Sequence, residues 1–227
     1  MREKFDLGLI PAAPDLSFEN ILWSSGVKYV AGIDEAGRGA LAGPVSAGAV
    51  IFPADGRLVT ELAGVRDSKQ MLPEQRQDWA VRLPGFALAS AVGFASAFEI
   101  DEVGIVPATR LAIQRALEKL PIYPEHLLLD YVQLPENSLP QTVLVKGDNR
   151  SLSIAAASIL AKVARDALLC RLDEQYPGYG FKNHKGYGTV THRQAIVRLG
   201  YSEIHRRTFV IHNPEAIGEE DFLLDSN

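Results

Sequence analysis

Asp34 and Glu35 are adjacent carboxylates at the end of the hydrophobic run Tyr29-Val30-Ala31-Gly32-Ile33, and the turn Ala36-Gly37-Arg38-Gly39 follows at once. The run is rich in β-formers and small residues and reads as a buried strand. Carboxylates are costly to bury there unless a cation offsets them, and hard divalent ions with oxygen ligands are suited to that task. Side chains alternate along a strand, so Asp34 and Glu35 should face opposite ways unless the chain twists or ends at that point. The glycines supply that break. The chemistry implied is metal-assisted hydrolysis of a phosphodiester backbone.

Gly37, Gly39 and Gly43 are spaced as G-x-G-x-x-x-G, near the dinucleotide-binding fingerprint. That fingerprint needs a helix next. The chain instead continues Pro44-Val45-Ser46-Ala47-Gly48-Ala49-Val50-Ile51-Phe52, which alternates like a second strand, so the turn joins two strands.

Two further acids close apolar runs: Leu127-Leu128-Leu129-Asp130 and Thr142-Val143-Leu144-Val145-Lys146-Gly147-Asp148. Both read as short strands ending in Asp. A lone strand-terminal Asp is ordinarily a turn or cap residue, but several converging acids would repel one another without divalent cations. After Asp148, a Ser cap leads into the Ala-rich stretch that runs to Asp166, a long, closely packed helix whose N-terminus lies beside Asp148 and favours phosphate.

At these residues the chain resembles the ribonuclease HII family, the prokaryotic type 2 ribonucleases H, from Asp15-Leu16-Ser17-Phe18-Glu19 to Ile204-His205-Arg206-Arg207-Thr208-Phe209. The motifs that carry the likeness are Gly32-Ile33-Asp34-Glu35-Ala36-Gly37-Arg38-Gly39, Asp67-Ser68-Lys69, Lys146-Gly147-Asp148 with its helix, and Tyr179-Gly180-Phe181 through Thr189. The resemblance implies an α/β, ribonuclease H-like mixed five-stranded sheet flanked by helices, with a helical C-terminal segment. It implies that Asp34, Glu35, Asp130 and Asp148 are catalytic and ligate two divalent ions, Mg²⁺ or Mn²⁺. The implied substrates are RNA·DNA hybrids and duplex DNA with single embedded ribonucleotides, cut on the 5′ side to leave 3′-hydroxyl and 5′-phosphate. Gly37, Arg38 and Gly39 would approach the 2′-hydroxyl, and Tyr187 would stack on the neighbouring deoxyribose. Lys69, Lys185 and Ser153 are weaker candidates for phosphate contacts. Ala40 stands where the family commonly has Pro, and Gly104 and Pro107 where it commonly has Asn and Gln, which puts in doubt substrate contacts carried over for that helix. A different metal nuclease on the same fold and a catalytically dead hybrid-binding module are the rival readings. None of the four acids is missing, which weighs against the second.

The 227 residues, 47% hydrophobic, suit one domain with a full core. A lone cysteine, Cys170, is expected to be a small core residue in a reducing cytosol, and no run is apolar enough to span a bilayer. No basic-then-apolar secretory signal opens the sequence, so a cytoplasmic protein is expected. Net charge is −5, yet between Tyr179 and Val210 the positives Lys182, Lys185, Arg193, Arg198, Arg206 and Arg207 meet one acid, Glu203. This segment, which also holds three His, is expected to track phosphates.

The expected organisation is an N-terminal leader over 1–27, a catalytic core over 28–175, a basic helical substrate-binding segment over 176–212 and an acidic tail over 213–227. Strands are placed near 28–35, 44–52, 87–97, 126–130 and 141–146, and helices over Pro73–Leu83, Glu99–Leu120, the run after Asp148, and from a Thr189 cap to Gly200. A monomer is expected, and Asp221-Phe222-Leu223-Leu224-Asp225 offers no convincing clamp-binding peptide.

Overall fold

The computed structural model describes residues 10–210, so the acidic tail and the clamp-peptide question lie outside the described residues. The chain runs α1 (Ser17–Ser24), β1 (Val30–Ala36), β2 (Val45–Ile51), α2 (Leu58–Glu61), α3 (Pro73–Arg82), β3 (Ala89–Ala95), α4 (Ala97–Val103) and α5 (Ile105–Glu118). It continues with β4 (His126–Asp130), β5 (Gln141–Leu144), α6 (Leu152–Gln175), α7 (Phe181–His184) and α8 (Val190–Leu199). The five strands form one sheet in the order β3-β2-β1-β4-β5. β1, β2 and β3 pair antiparallel, whereas β4 and β5 run parallel to β1; α4 and α5 carry the chain from β3 across to β4, and the loop 131–140 returns it from β4 to β5 without a helix. The mixed, helix-flanked sheet matches the expected fold.

Period-2 alternation sorts the sheet's two faces. Ala31, Ile33, Val45, Ala47, Ala49 and Ile51 pack with Ala108, Ala112, Ile113 and Ala116 of α5. On the other face Val50 and Phe52 pack with Trp79 of α3 and with Ala155, Ala156 and Ile159 of α6. Here α6 sits directly on glycines: a Cβ on Gly32 would fall 2.3 Å from the Ser153 carbonyl carbon, and one on Gly48 2.3 Å from the Ala157 oxygen. Overpacking of this kind commonly costs about 1–3 kcal/mol. Gly48→Ala is therefore expected to lower the unfolding free energy, read from urea titration, by an amount in or above that range, and an unchanged value would show that α6 can lift off the sheet freely.

Three expectations need correction. The Glu99–Leu120 helix is two helices broken at Gly104, whose φ of +83° ends α4, and Pro107 falls in the first turn of α5, where its missing N–H has no intrahelical partner to lose. Asp148 does not end a strand: β5 stops at Leu144, Lys146 turns left-handed at φ +54°, and Asp148 lies in the 3₁₀ turn Gly147–Asn149. Cys170 is exposed rather than core, because in the later turns of α6 the buried stripe narrows to Arg165 and Leu169 and Cys170 lies outside it. The stretch before β1 is tied to the core. Glu19 of α1 is buried, and its carboxylate accepts from Ser151 Oγ at 2.6 Å, Ser153 Oγ at 2.5 Å and Ser153 N at 3.0 Å.

Candidate active site

β1 and β4 are parallel neighbours in a register that pairs Ile33 with Leu129, so the next residues, Asp34 and Asp130, emerge side by side at the C-terminal ends of adjacent strands. That is where sites collect in sheets of this kind. Asp148 is brought up by the turn after β5, and Asp130 Oδ1 accepts from Gly147 N at 2.8 Å, which locks that turn to β4. Carboxylate oxygens of Asp34, Asp130 and Asp148 all lie within 4.8 Å of one another. Glu35 follows the strand parity to one side. Its Oε1 accepts from Arg38 Nη1 at 3.1 Å, while its Oε2 is buried with no hydrogen-bond partner.

Burial raises the proton affinity of all four acids, and repulsion from neighbouring carboxylates adds to it at Asp34, Asp130 and Asp148. Asp34 is held well above the usual carboxylate range by burial and then by Glu35, Asp130 and Asp148, against a single opposing N–H from Glu35. Asp148 is pushed up to about 6 by burial, Asp67 and Asp130. Asp130 is raised by burial despite the Gly147 N–H, and Glu35 is raised by burial despite Arg38 and Lys69. Lys69 is raised too: burial opposes its charge, but Asp67 and Asp34 outweigh it, so the lysine stays cationic beside the acids. Clustered carboxylates with an orphaned buried oxygen are the donor set of a hard divalent cation, and the residues fit that group.

Beside the acids opens a cleft of about 520 Å³ lined by Glu35, Gly37, Arg38, Gly39, Lys69 and Tyr187 among others. Asp67 Oδ1 caps the short Ser68–Gln70 turn by accepting from Lys69 N, and Ser158 Oγ of α6 donates to Ser68 Oγ at 2.7 Å, so Lys69 stands on a pinned loop. The Tyr187 ring is 36% exposed, with Lys162 Nζ and the Arg165 guanidinium each 5.4 Å from its centroid.

The ribonuclease HII family profile matches residues 31–212. Ribonuclease HII of Synechococcus is 56% identical over 197 residues, covering 86% of this chain and 88% of its own. This chain belongs to the ribonuclease HII family. Solved relatives agree: the ribonuclease H2 of Pyrococcus horikoshii superposes with a TM-score of 0.64 at 28% identity over 80% of this chain and 93% of its own. The ribonuclease HII of Archaeoglobus fulgidus, solved in a complex with PCNA, gives 0.68 at 26% over 86% and 100%. As a member of that family, the chain is a metal-dependent ribonuclease H endonuclease.

The structure brings Asp34, Glu35, Asp130, Asp148, Gly37, Arg38, Gly39, Lys69 and Tyr187 to one region. Ser153 is not there. It is fully buried and its hydroxyl donates to Glu19, so it has no phosphate to meet, and the cap of α6 is Ser151, which accepts from Ile154 N. Lys185 is half-buried in a left-handed turn, its Nζ donating to the Lys182 carbonyl and its own carbonyl accepting from Arg165. The basic segment is also thinner than its composition suggests. Arg206 is 1% exposed, and His192 and His205 are buried 3.1 Å apart, burial pushing both down to about 4 and leaving them neutral. Lys162, which lines the cleft and pairs with Asp166 at 2.9 Å, was not singled out in the sequence. Its signal is the cluster Lys162, Arg165, Asp166 interrupting an otherwise apolar helix.

Proposed function

We propose that this ribonuclease hydrolyses the RNA strand of RNA·DNA hybrids and cuts on the 5′ side of single ribonucleotides embedded in duplex DNA, leaving 3′-hydroxyl and 5′-phosphate ends. The observation that carries the reading is the meeting of the Asp34–Asp130–Asp148 cluster with a cleft floored by a glycine turn and flanked by the Tyr187 ring. Asp34, Glu35, Asp130 and Asp148 would hold two divalent ions, Mg²⁺ or Mn²⁺, and when bound these supply Lewis-acid charge at the scissile phosphate and lower the pKa of an attacking water. Asp34, on the central strand and flanked by the other three, is the residue suited to bridge them. Lys69 keeps its proton beside the acids and offers an ammonium to the phosphate. Arg38, held by Glu35, presents its remaining donors to the same groove.

Recognition has to fall on the 2′-hydroxyl, the one mark that separates a ribonucleotide from its neighbours. Gly39 offers no side chain and is exposed at the cleft, so backbone groups of the turn reach that hydroxyl unobstructed. Tyr187 would pack on the deoxyribose to its 3′ side. The segment 176–212, through its exposed Lys182, Arg198 and Arg207, would follow the phosphates without reading sequence.

The direct test is incubation with a duplex carrying one ribonucleotide beside an all-DNA control. A single nick 5′ of the ribonucleotide is expected, and equal cutting of the control would indicate a general nuclease. In Tyr187→Ala, cleavage of that duplex should fall about tenfold or more, given about 1–3 kcal/mol for a stacking contact. The loss on a continuous hybrid should be proportionally smaller. An unchanged ratio between the two duplexes would remove Tyr187 from junction reading even if the acids stand.

A further inference from the structure

Two arginines are among the most deeply buried side chains, Arg165 at 0% and Arg206 at 1% exposed, and neither forms an ion pair with a carboxylate among the described residues. An unpaired buried guanidinium is expensive, and it is tolerated only when its donors are satisfied. Both are satisfied almost wholly by backbone carbonyls around the glycine turn. Arg206 Nε donates to Gly43 O at 3.0 Å, Nη1 to Arg38 O at 2.8 Å and Nη2 to Gly37 O at 2.7 Å. Arg165 Nε donates to Pro44 O at 2.8 Å, Nη2 to Ala42 O at 3.1 Å and Nη1 to Lys185 O at 2.9 Å.

The consequence follows from peptide geometry. In a trans peptide the N–H of residue i+1 points opposite to the C=O of residue i, and the described chain contains no cis bond. By drawing the Gly37 and Arg38 carbonyls inward, Arg206 turns the N–H groups of Arg38 and Gly39 outward. Neither N–H has a partner among the described residues, and both residues line the cleft. The peptides held by Arg165 differ: the N–H groups that follow them are used within the fold, Gly43 N donating to Ile204 O and Gly186 N to His184 Nδ1. Arg165 instead fixes the distance between this turn and the Lys185–Tyr187 turn.

We infer that Arg206 is a positioning residue for sugar recognition: its guanidinium sets the two peptide planes that present the Arg38 and Gly39 N–H donors to the ribonucleotide 2′-hydroxyl, with Arg165 as the brace beside it. Lysine cannot replace it, since one ammonium on a flexible stem lacks the planar fork that reaches three carbonyls at once. The inference rests on the proposed ribonucleotide specificity, and its test separates the two.

Arg206→Lys is compared with the unaltered enzyme on a duplex with one ribonucleotide, while an all-deoxy duplex serves as competitive inhibitor and reports the phosphate contacts. Expected is a fall of about tenfold or more in kcat/KM, as for loss of one or two aimed hydrogen bonds, with the inhibition constant kept within about twofold. General loosening of the fold would weaken both together, and that result, or no change in either, overturns the inference. A second measurement needs no variant and holds if Arg206→Lys fails to fold. In Ca²⁺, the Arg38 and Gly39 amide NMR resonances of the unaltered protein should shift on adding the ribonucleotide duplex and not the all-deoxy one. Equal responses to both overturn it as well. An unaltered enzyme that leaves the single-ribonucleotide duplex uncut would instead bring down the specificity on which the inference stands.

Discussion

Asp34→Asn is expected to lose cleavage by roughly a thousandfold or more while making the metal-free protein more stable at neutral pH. Both effects have one cause. Asp34 is buried beside Glu35, Asp130 and Asp148, and its carboxyl resists ionisation in the folded state. A carboxyl whose folded pKa lies above its unfolded value contributes stability at low pH that is lost as pH rises through the folded value. Asp148 marks the window, from its ordinary 3.8 up to about 6. Above it the ion-free cluster is a standing repulsion that divalent ions relieve. An Asn amide removes one of the charges and is a poor ligand for hard cations. Thermal unfolding in EDTA should therefore favour the variant at pH 7.5 and not at pH 4, whereas Mg²⁺ should raise the melting temperature of the unaltered protein more than that of the variant. Turnover like that of the unaltered enzyme would sink the assignment of Asp34. Ca²⁺, larger and less demanding in geometry, should support binding with little cleavage.

The strands were legible because buried β-runs are written as apolar residues bounded by turns, and the register of β1 on β4 then places Asp34 next to Asp130 without further information. Asp148 was recognisable as a site acid, yet its position was not. Its approach depends on the left-handed Lys146 and on the hydrogen bond from Gly147 to Asp130, neither of which has a periodic signature. Helix division at Gly104 could have been weighed from the glycine alone. Ser153 was misplaced because residue type shows a hydroxyl at a helix start but not the Glu19 carboxylate that an element far away in sequence folds over it. Arg206 is the sharpest case. Arginine next to arginine reads as surface charge, and only the folded turn shows three carbonyls that need its donors.

Gly37 and Gly39, two residues apart in one turn, should fail in opposite ways when substituted. Gly37 is held at φ +92°, and a Cβ there would stand 2.0 Å from Arg165 Nε. Left-handed strain of about 1–2 kcal/mol adds to a clash with a guanidinium that cannot leave without stranding its charge. Gly37→Ala should thus cost roughly 3 kcal/mol of stability and most of the activity on either duplex, since the turn must shift. Gly39 is different: a Cβ built on it meets nothing within 4 Å. Gly39→Val should fold nearly as well as the unaltered chain, yet fill the space beside the 2′-hydroxyl and lower cleavage of both the single-ribonucleotide duplex and the continuous hybrid. Paired measurements of unfolding and turnover decide it. If Gly39→Val lost as much stability as Gly37→Ala, the open space at Gly39 would not be the reason for its glycine. If it folded and cut normally, that space would not be where the sugar sits.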